Sequence, residues 1–367
     1  MPAVAALAAG MLGLALVGCA STPPRPTHRT PPRVELVGQL ELPAGTAIDG
    51  VPLGGLSALA RDPVEETYYA LADDPGEHGP PRLYRLRLAF DGPEPGAEVL
   101  SWQPLRDAGG QPYPPGIADP EGLALLPDGS LLVASEGLAA DGVSPFLRRF
   151  AVDGRELDEI ALPERYLPSA KRELGVRPSL GFESLTIDLD GGHLYLATEG
   201  PLVQDGPPAD LGVAGLARLL VLSWPQALLC AEYAYEVEPL PGDGFRVGGL
   251  VELLAIGGGR LLALERQFAV GAGYSLRLYT IDLSGATELH RPASPAAGRS
   301  PRTVRKELLV DFTQLGIDPG NLEGLAEGPR LADGRQTIVV VEDDNFDSGP
   351  AARFFRLALP AHLSAAS

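Results

Sequence analysis

Short runs of alternating apolar and polar residues fill most of this chain, and they group into a unit that recurs five times. In each copy a strand-like run turns at Gly or Asp and returns through a second run that ends in an acid. The copies are GGLSAL to YYALADD (54–74), EGLALLPDGSLLVASE (121–136), ESLTIDLDGGHLYLATE (183–199), ELLAIGGGRLLALE (252–265) and EGLAEGPRLADGRQTIVVVED (323–343). Four copies open with Glu, at Glu121, Glu183, Glu252 and Glu323, spaced roughly 60–70 residues apart, which leaves room for four strands and their loops. A third alternating run follows in every copy (RLYRLRLAF, FLRRFAV, ARLLVLSW, SLRLYTIDL, ARFFRLAL), and a fourth in the first four (EVLSWQPL, ELDEIALP, CAEYAYEVEP, KELLVDFT). Period-two alternation, Val, Leu, Ile, Tyr and Phe inside the runs, and Gly, Pro and Asp at their ends together predict strands.

The fifth copy lacks a fourth strand, while VELVGQLELP (Val34–Pro43) belongs to no copy. Pairing that strand with Phe354–Leu359 gives every copy four strands and closes a circle without an exposed edge. The expected fold is therefore an all-β propeller of five four-stranded blades over residues 34–360, with a tail at 361–367. A six-bladed alternative needs a further four-stranded set, for which only loops such as 284–302 remain. The 45 Gly and 37 Pro among 367 residues fit a single large all-β domain with many turns.

The first eighteen residues, MPAVAALAAGMLGLALVG, are uncharged, apolar and too short to span a bilayer comfortably, and Leu16-Val17-Gly18-Cys19 resembles a lipobox. The expectation is a lipoprotein signal over residues 1–18 and lipidation of Cys19. A Pro/Thr-rich tether over 19–33 would then hang the domain from the bacterial cell envelope, on the periplasmic or outer-membrane side. A signal normally carries a basic start, and none is present here. With Cys19 lipidated, Cys230 is the remaining thiol and reads as a small apolar filler in a strand.

A net charge of −19 argues against nucleic acid and against direct adhesion to anionic lipid, leaving the lipid anchor as the membrane contact. It favours cations as partners. In a propeller blade the first strand begins, the second ends and the third begins on one face. Glu121, Glu183, Glu252 and Glu323 on first strands, and Asp73, Asp74, Glu136, Glu199, Glu265, Glu342 and Asp343 on second strands, should then surround one mouth of the channel. Carboxylates this close raise one another's pKa unless a cation or arginines neutralise them.

An all-oxygen donor set suits Ca²⁺ better than Zn²⁺, and with five His in the chain only His78 falls near this mouth. The expected metal ligands are drawn from Glu121, Glu136, Glu183, Glu199, Glu252, Glu265, Glu323, Glu342 and Asp343. Arg82, Arg148, Arg218 and Arg353 begin third strands, Arg266 follows Glu265, and Arg61 follows the first inner strand. Arg82, Arg148, Arg218, Arg266 and Arg353 are the candidates for gripping a phosphate ester, because guanidinium binds phosphate oxygens bidentately. A purely structural role for each Glu, paired with strand amides and Arg, stays open.

The strings GLSALARDP, YYALADD, RLYRLRL, DPEGLALLPDGSLLVASEG, GFESLTIDLDGGHLYLATEGP and NLEGLAEGP resemble the phytase-like domain family, described by its esterase-like activity of phytase, over roughly residues 50–358. The resemblance implies a secreted or envelope β-propeller linked to Ca²⁺-dependent propeller phytases. Its D-x-E-G-L and G-F-E-S-L patterns fall on Asp119–Leu123 and Gly181–Leu185, which brings Glu121 and Glu183 forward as the catalytic carboxylates.

The chain has no G-x-S-x-G elbow, H-E-x-x-H or Walker A motif, so a hydrolase here would use a metal- or carboxylate-activated water. Two functions follow from the residues. One is a Ca²⁺-dependent hydrolase of phosphate or other esters; the other is a non-catalytic envelope propeller that binds a ligand or protein.

Overall fold

The computed structural model describes residues 34–242, 244–289, 301–347 and 349–364. Cys19 and the proposed signal and tether lie outside the described residues. Five four-stranded antiparallel sheets form the blades of a β-propeller. Blade 1 comprises Leu56–Asp62, Thr67–Ala72, Arg82–Ala89 and Gly96–Pro104. Blade 2 comprises Pro120–Leu125, Leu131–Ser135, Phe146–Phe150 and Glu156–Ile160. Blade 3 is built from Phe182–Ile187, His193–Thr198, Gly215–Ser223 and Leu229–Val237. Blade 4 follows with Arg246–Gly257, Arg260–Ala269, Gly273–Asp282 and Arg305–Asp311. Blade 5 takes Leu322–Gly328, Thr337–Glu342 and Ala352–Ala358 from the end of the chain, and Glu35–Leu42 from its beginning.

The N-terminal strand closes the ring as expected, Glu35 pairing with Ala358 and Leu42 with Ala352. Packing explains why it belongs there. Each pair of neighbouring blades encloses one buried apolar cluster, and Glu35–Leu42 with the residue before it serves two of them. Val34 enters the cluster between blades 4 and 5, and Leu40 and Leu42 enter the one between blades 5 and 1. Burying an aliphatic side chain of this size is worth about 1.5–3 kcal/mol. Deleting residues 1–43 should therefore remove an amount comparable to the whole stability of an ordinary domain, about 5–15 kcal/mol. Circular dichroism and denaturant titration should show loss of the cooperative transition, whereas an unchanged midpoint would mean the strand is dispensable.

The expected tail is in part structured. Ala361–Ser364 form one helical turn in which Leu363 is buried, the Ser364 hydroxyl accepts the Gln336 amide, and Arg260 donates to the His362 and Leu363 carbonyls.

The first strand of every blade carries a β-bulge at the same place. The extra residue is Ser57, Glu121, Glu183, Val251 and Glu323 in blades 1 to 5. A bulge re-aims one side chain without altering the pairing beyond it. Here it sets which residue of each blade reaches the channel mouth.

Candidate metal centre

With the bulges as reference, the second-strand residue that follows the partner of the position just before each bulge is Asp73, Glu136, Glu199, Arg266 and Asp343 in blades 1 to 5. The Asp73, Glu136, Glu199 and Asp343 amides donate to Gly55, Asp119, Gly181 and Asn321, while Arg266 pairs with Gly249. One turn of the ring thus carries four acids and one arginine, and the bulges add Glu121, Glu183 and Glu323. Asp119 and Asn321, each just before a first strand, complete the mouth.

Small residues at Gly181 and Gly249 let the neighbouring blades approach this closely. A Cβ at Gly249 would lie 2.3 Å from the Glu199 Cγ, and one at Gly181 would lie 2.5 Å from the Glu136 Cβ.

The mouth divides into two halves. On one side Arg266 donates to Glu199 Oε1 at 3.0 Å, to Asn321 Oδ1 at 2.8 Å and to Glu323, and Asn321 in turn donates to Asp343 at 3.1 Å. On the other side stand Asp73, Asp119 and Glu121, whose ligand oxygens all lie within 4.8 Å of one another. Asp119 Oδ1 is shielded from solvent and has no hydrogen-bond partner. Glu136 joins this half, accepting the Gly181 amide at 2.9 Å.

Burial and mutual repulsion raise the pKa values of these carboxyls. Burial first, then the Asp119 charge, raises Asp73 well above its ordinary range. Asp119 is pushed up to about 6 and Glu136 to about 8, in both cases chiefly by burial. Glu121, Glu183 and Asp343 are likewise raised well above theirs. Arg266 restrains the rise at Glu199 and Glu323.

Glu265 and Glu342 turn away from the mouth acids, and Glu252 stands apart from Asp73, Asp119 and Glu121 though within electrostatic reach of Glu323; in each case the cause is register. Glu252 stands one residue past the bulge of blade 4, where blades 2, 3 and 5 have Gly122, Ser184 and Gly324. Its carboxylate accepts the Leu185 and Leu253 amides at 3.2 and 2.9 Å. Glu265 stands one residue before Arg266 and turns to the seam between blades 3 and 4. There it accepts from Tyr235 and Lys306, each at 2.6 Å. Glu342 precedes Asp343 in the same way and pairs with Arg353. For Glu265 and Glu342 a one-residue offset in the strand sends the side chain to the opposite face.

Four of the five expected anion-binding arginines are engaged elsewhere. Arg82 is fully buried against Asp74 at 2.7 Å, Arg148 pairs with Glu159 at 2.9 Å, Arg218 is held by Asp205 and Glu232, and Arg353 by Glu342. Arg266 alone of the five stands among the mouth acids. Asp74 spends its carboxylate on Arg82 and on the amides of Gly76, Glu77 and His78. His78 is exposed and stacks on Phe346 with ring centroids 4.0 Å apart. Cys230 is exposed and its thiol faces the Leu228 carbonyl, so it is not the buried filler expected of it.

The phytase-like family, described as "Esterase-like activity of phytase", matches residues 51–346. The chain belongs to this family. Among solved structures, it aligns with a tail fibre of Staphylococcus aureus phage P68, at 12% identity over 91% of this chain and 55% of that one, with a TM-score of 0.42. A thermostable family-43 glycoside hydrolase aligns at 12% identity, covering 83% and 90% of the two chains, with a TM-score of 0.45. The catalytic domain of the Coprinopsis cinerea GH62 α-L-arabinofuranosidase aligns at 11% identity over 92% and 99%, with a TM-score of 0.45. No curated protein matches the chain.

Proposed function

We propose that this phytase-like propeller is a metal-dependent hydrolase of phosphate or other esters, held at the bacterial cell envelope through lipid on Cys19. The observation that carries the reading is the convergence of Asp73, Asp119 and Glu121 with an unpartnered Asp119 oxygen among them. The donors are all oxygen, a set that fits Ca²⁺. Asp73, Asp119 and Glu121 would hold the ion, with Glu136 beside them. A bound Ca²⁺ would supply charge to offset the negative charge that develops on an ester oxygen.

The remaining roles belong to the chain itself. Glu183 is one blade on from Glu121 and bound to no arginine, so it is the carboxylate left to take a proton from an attacking water. Arg266, fixed by Glu199, Asn321 and Glu323, offers a cation beside that position and is the residue to orient the ester's anionic group.

p-Nitrophenyl phosphate and p-nitrophenyl acetate, assayed with calcium and with chelator, test this reading. Hydrolysis of at least one should need calcium and should fall by about 10²–10⁴-fold in Glu183→Gln, the usual contribution of a general base. A protein that binds calcium but leaves both esters intact would establish the second reading, a ligand-binding propeller. The engagement of Arg82, Arg148, Arg218 and Arg353 in ion pairs favours that second reading, because it leaves Arg266 as the one arginine of the set near the acids.

Anchoring has its own test. Cys19→Ser should move the protein from the membrane to the soluble fraction, and wild-type protein that fractionates as soluble with residues 1–18 intact would refute the anchor.

A further inference from the structure

The end of the channel remote from the acids has a different character. Four residues beyond the bulge, the first strands carry Arg61, Leu125, Ile187, Ala255 and Glu327, and all five line a cavity of about 560 Å³. That volume is typical of a small-molecule site, about 300–1,000 Å³. Deeper in, Leu59, Leu123, Leu185, Leu254 and Leu325 make the wall apolar. Blades 5 and 1 are neighbours, so a carboxylate and a guanidinium stand at one edge of a hydrophobic cup whose other three blades offer only alkyl groups at that level.

Arg61 and Glu327 act on each other's charge. Among the described residues neither forms an ion pair, and Glu327 receives one hydrogen bond, from Gln336 at 3.2 Å. The buried Tyr68 hydroxyl, in a residue 2% exposed, lies beside the Arg61 guanidinium and within electrostatic reach of Glu327.

The other acids around the opening are occupied by their own turns. Asp62 accepts the Val64 and Glu65 amides, and Asp188 and Asp190 both accept the Gly192 amide, with His193 also bound to Asp188. Glu65 lies 3.8 Å from Arg85.

We propose that this cup binds a free amino acid with an apolar side chain. Its carboxylate would lie on the Arg61 fork, its ammonium on Glu327 and its side chain against the leucines. A simple carboxylate would leave Glu327 unanswered and face the acidic rim. A simple amine would leave Arg61 unpaired in a largely apolar wall, where an uncompensated charge is costly.

Calorimetric titration of the full chain with L-leucine and L-phenylalanine tests the assignment, with 3-phenylpropanoate and 2-phenylethylamine as analogues that each lack one charge. At least one amino acid should bind, and each analogue should bind about tenfold or more weakly than phenylalanine. Arg61→Met and Glu327→Gln should each weaken amino-acid binding by a similar factor while leaving the calcium response of the acidic end intact. If Arg61→Met fails to fold, Glu327→Gln and Leu125→Trp, which fills the cup, carry the same test. The proposal is overturned if neither amino acid binds, if either analogue binds as well as phenylalanine, or if folded variants bind like the wild type.

Discussion

Calcium should raise the melting temperature of this protein and chelator should lower it, with the gap widening as the pH rises. On the proposed function an ion held by the folded chain would stabilise it by mass action, by about 2.7 kcal/mol when free calcium exceeds the dissociation constant a hundredfold. The pH dependence follows from the raised carboxyls. Glu136 goes from an ordinary 4.5 to about 8, and Asp119 from 3.8 to about 6. Between those limits the metal-free folded state holds protons that the unfolded chain has released. The stability these groups contribute is complete below their ordinary values and is lost as the pH climbs through the raised ones, at about 1.4 kcal/mol per pH unit for each proton held. Bound calcium would take the place of those protons, so the bound protein should escape this decline and proton release should accompany binding. Asp119→Asn with Glu121→Gln should abolish the calcium response and should also raise the metal-free melting temperature at pH 8, since it removes the repulsion that the ion would otherwise neutralise. Melting curves that coincide in calcium and chelator from pH 5 to pH 8 would eliminate the metal site.

Replacing Arg266 should be more damaging than replacing any single acid of the mouth. Its guanidinium bonds Glu199, Glu323 and Asn321 together, and both acids are buried. Removing one partner of a buried ion pair typically costs about 3–5 kcal/mol, because the remaining charge has no compensation. Arg266→Met should lower the unfolding free energy measured by denaturant titration by that amount at pH 8 and by less at pH 5, where Glu199 and Glu323 can accept protons. The triple variant with Glu199→Gln and Glu323→Gln should recover most of the loss. A small cost independent of pH would show that Arg266 is not neutralising the acids.

The blade count and the closure by Val34–Pro43 were legible in the sequence because they depend on counting alternating runs, and a run survives small errors of alignment. The site depends on single residues, where an error of one position reverses a side chain. In blade 4 the string Gly249-Leu250-Val251-Glu252-Leu253 aligns with Gly181-Phe182-Glu183-Ser184-Leu185 through its Gly and final Leu. Read that way, Val251 takes the bulge and Arg266 takes the place of an acid. Aligning instead on the first Glu of ELLAIGGG displaced Glu252 and Glu265 together. Asp119 was in view within the D-x-E-G-L string, but no strand-end rule marked it as part of the mouth, and Asn321 carries no charge to attract notice. The partners of Arg148 and Arg218 include Glu159 on an outer strand and Asp205 on a loop, while Arg82 and Arg353 meet Asp74 and Glu342 at the second strands of their own blades; alternation says nothing about which carboxylate a long side chain will meet.

The bulges have a further consequence for how this architecture can change. A bulged residue is excluded from the ladder that holds its strand to the next, so its side chain can be exchanged with little disturbance to pairing. Ser57 and Val251 already occupy two of the five bulges, with the same strand order on either side as in the three that hold Glu. The scaffold and the chemistry at its mouth are therefore nearly separable. The bulge positions can be rewritten without changing strand pairing, with Glu323 tied to Arg266 as the exception, and new recognition could be selected on this frame without first re-solving how the chain folds.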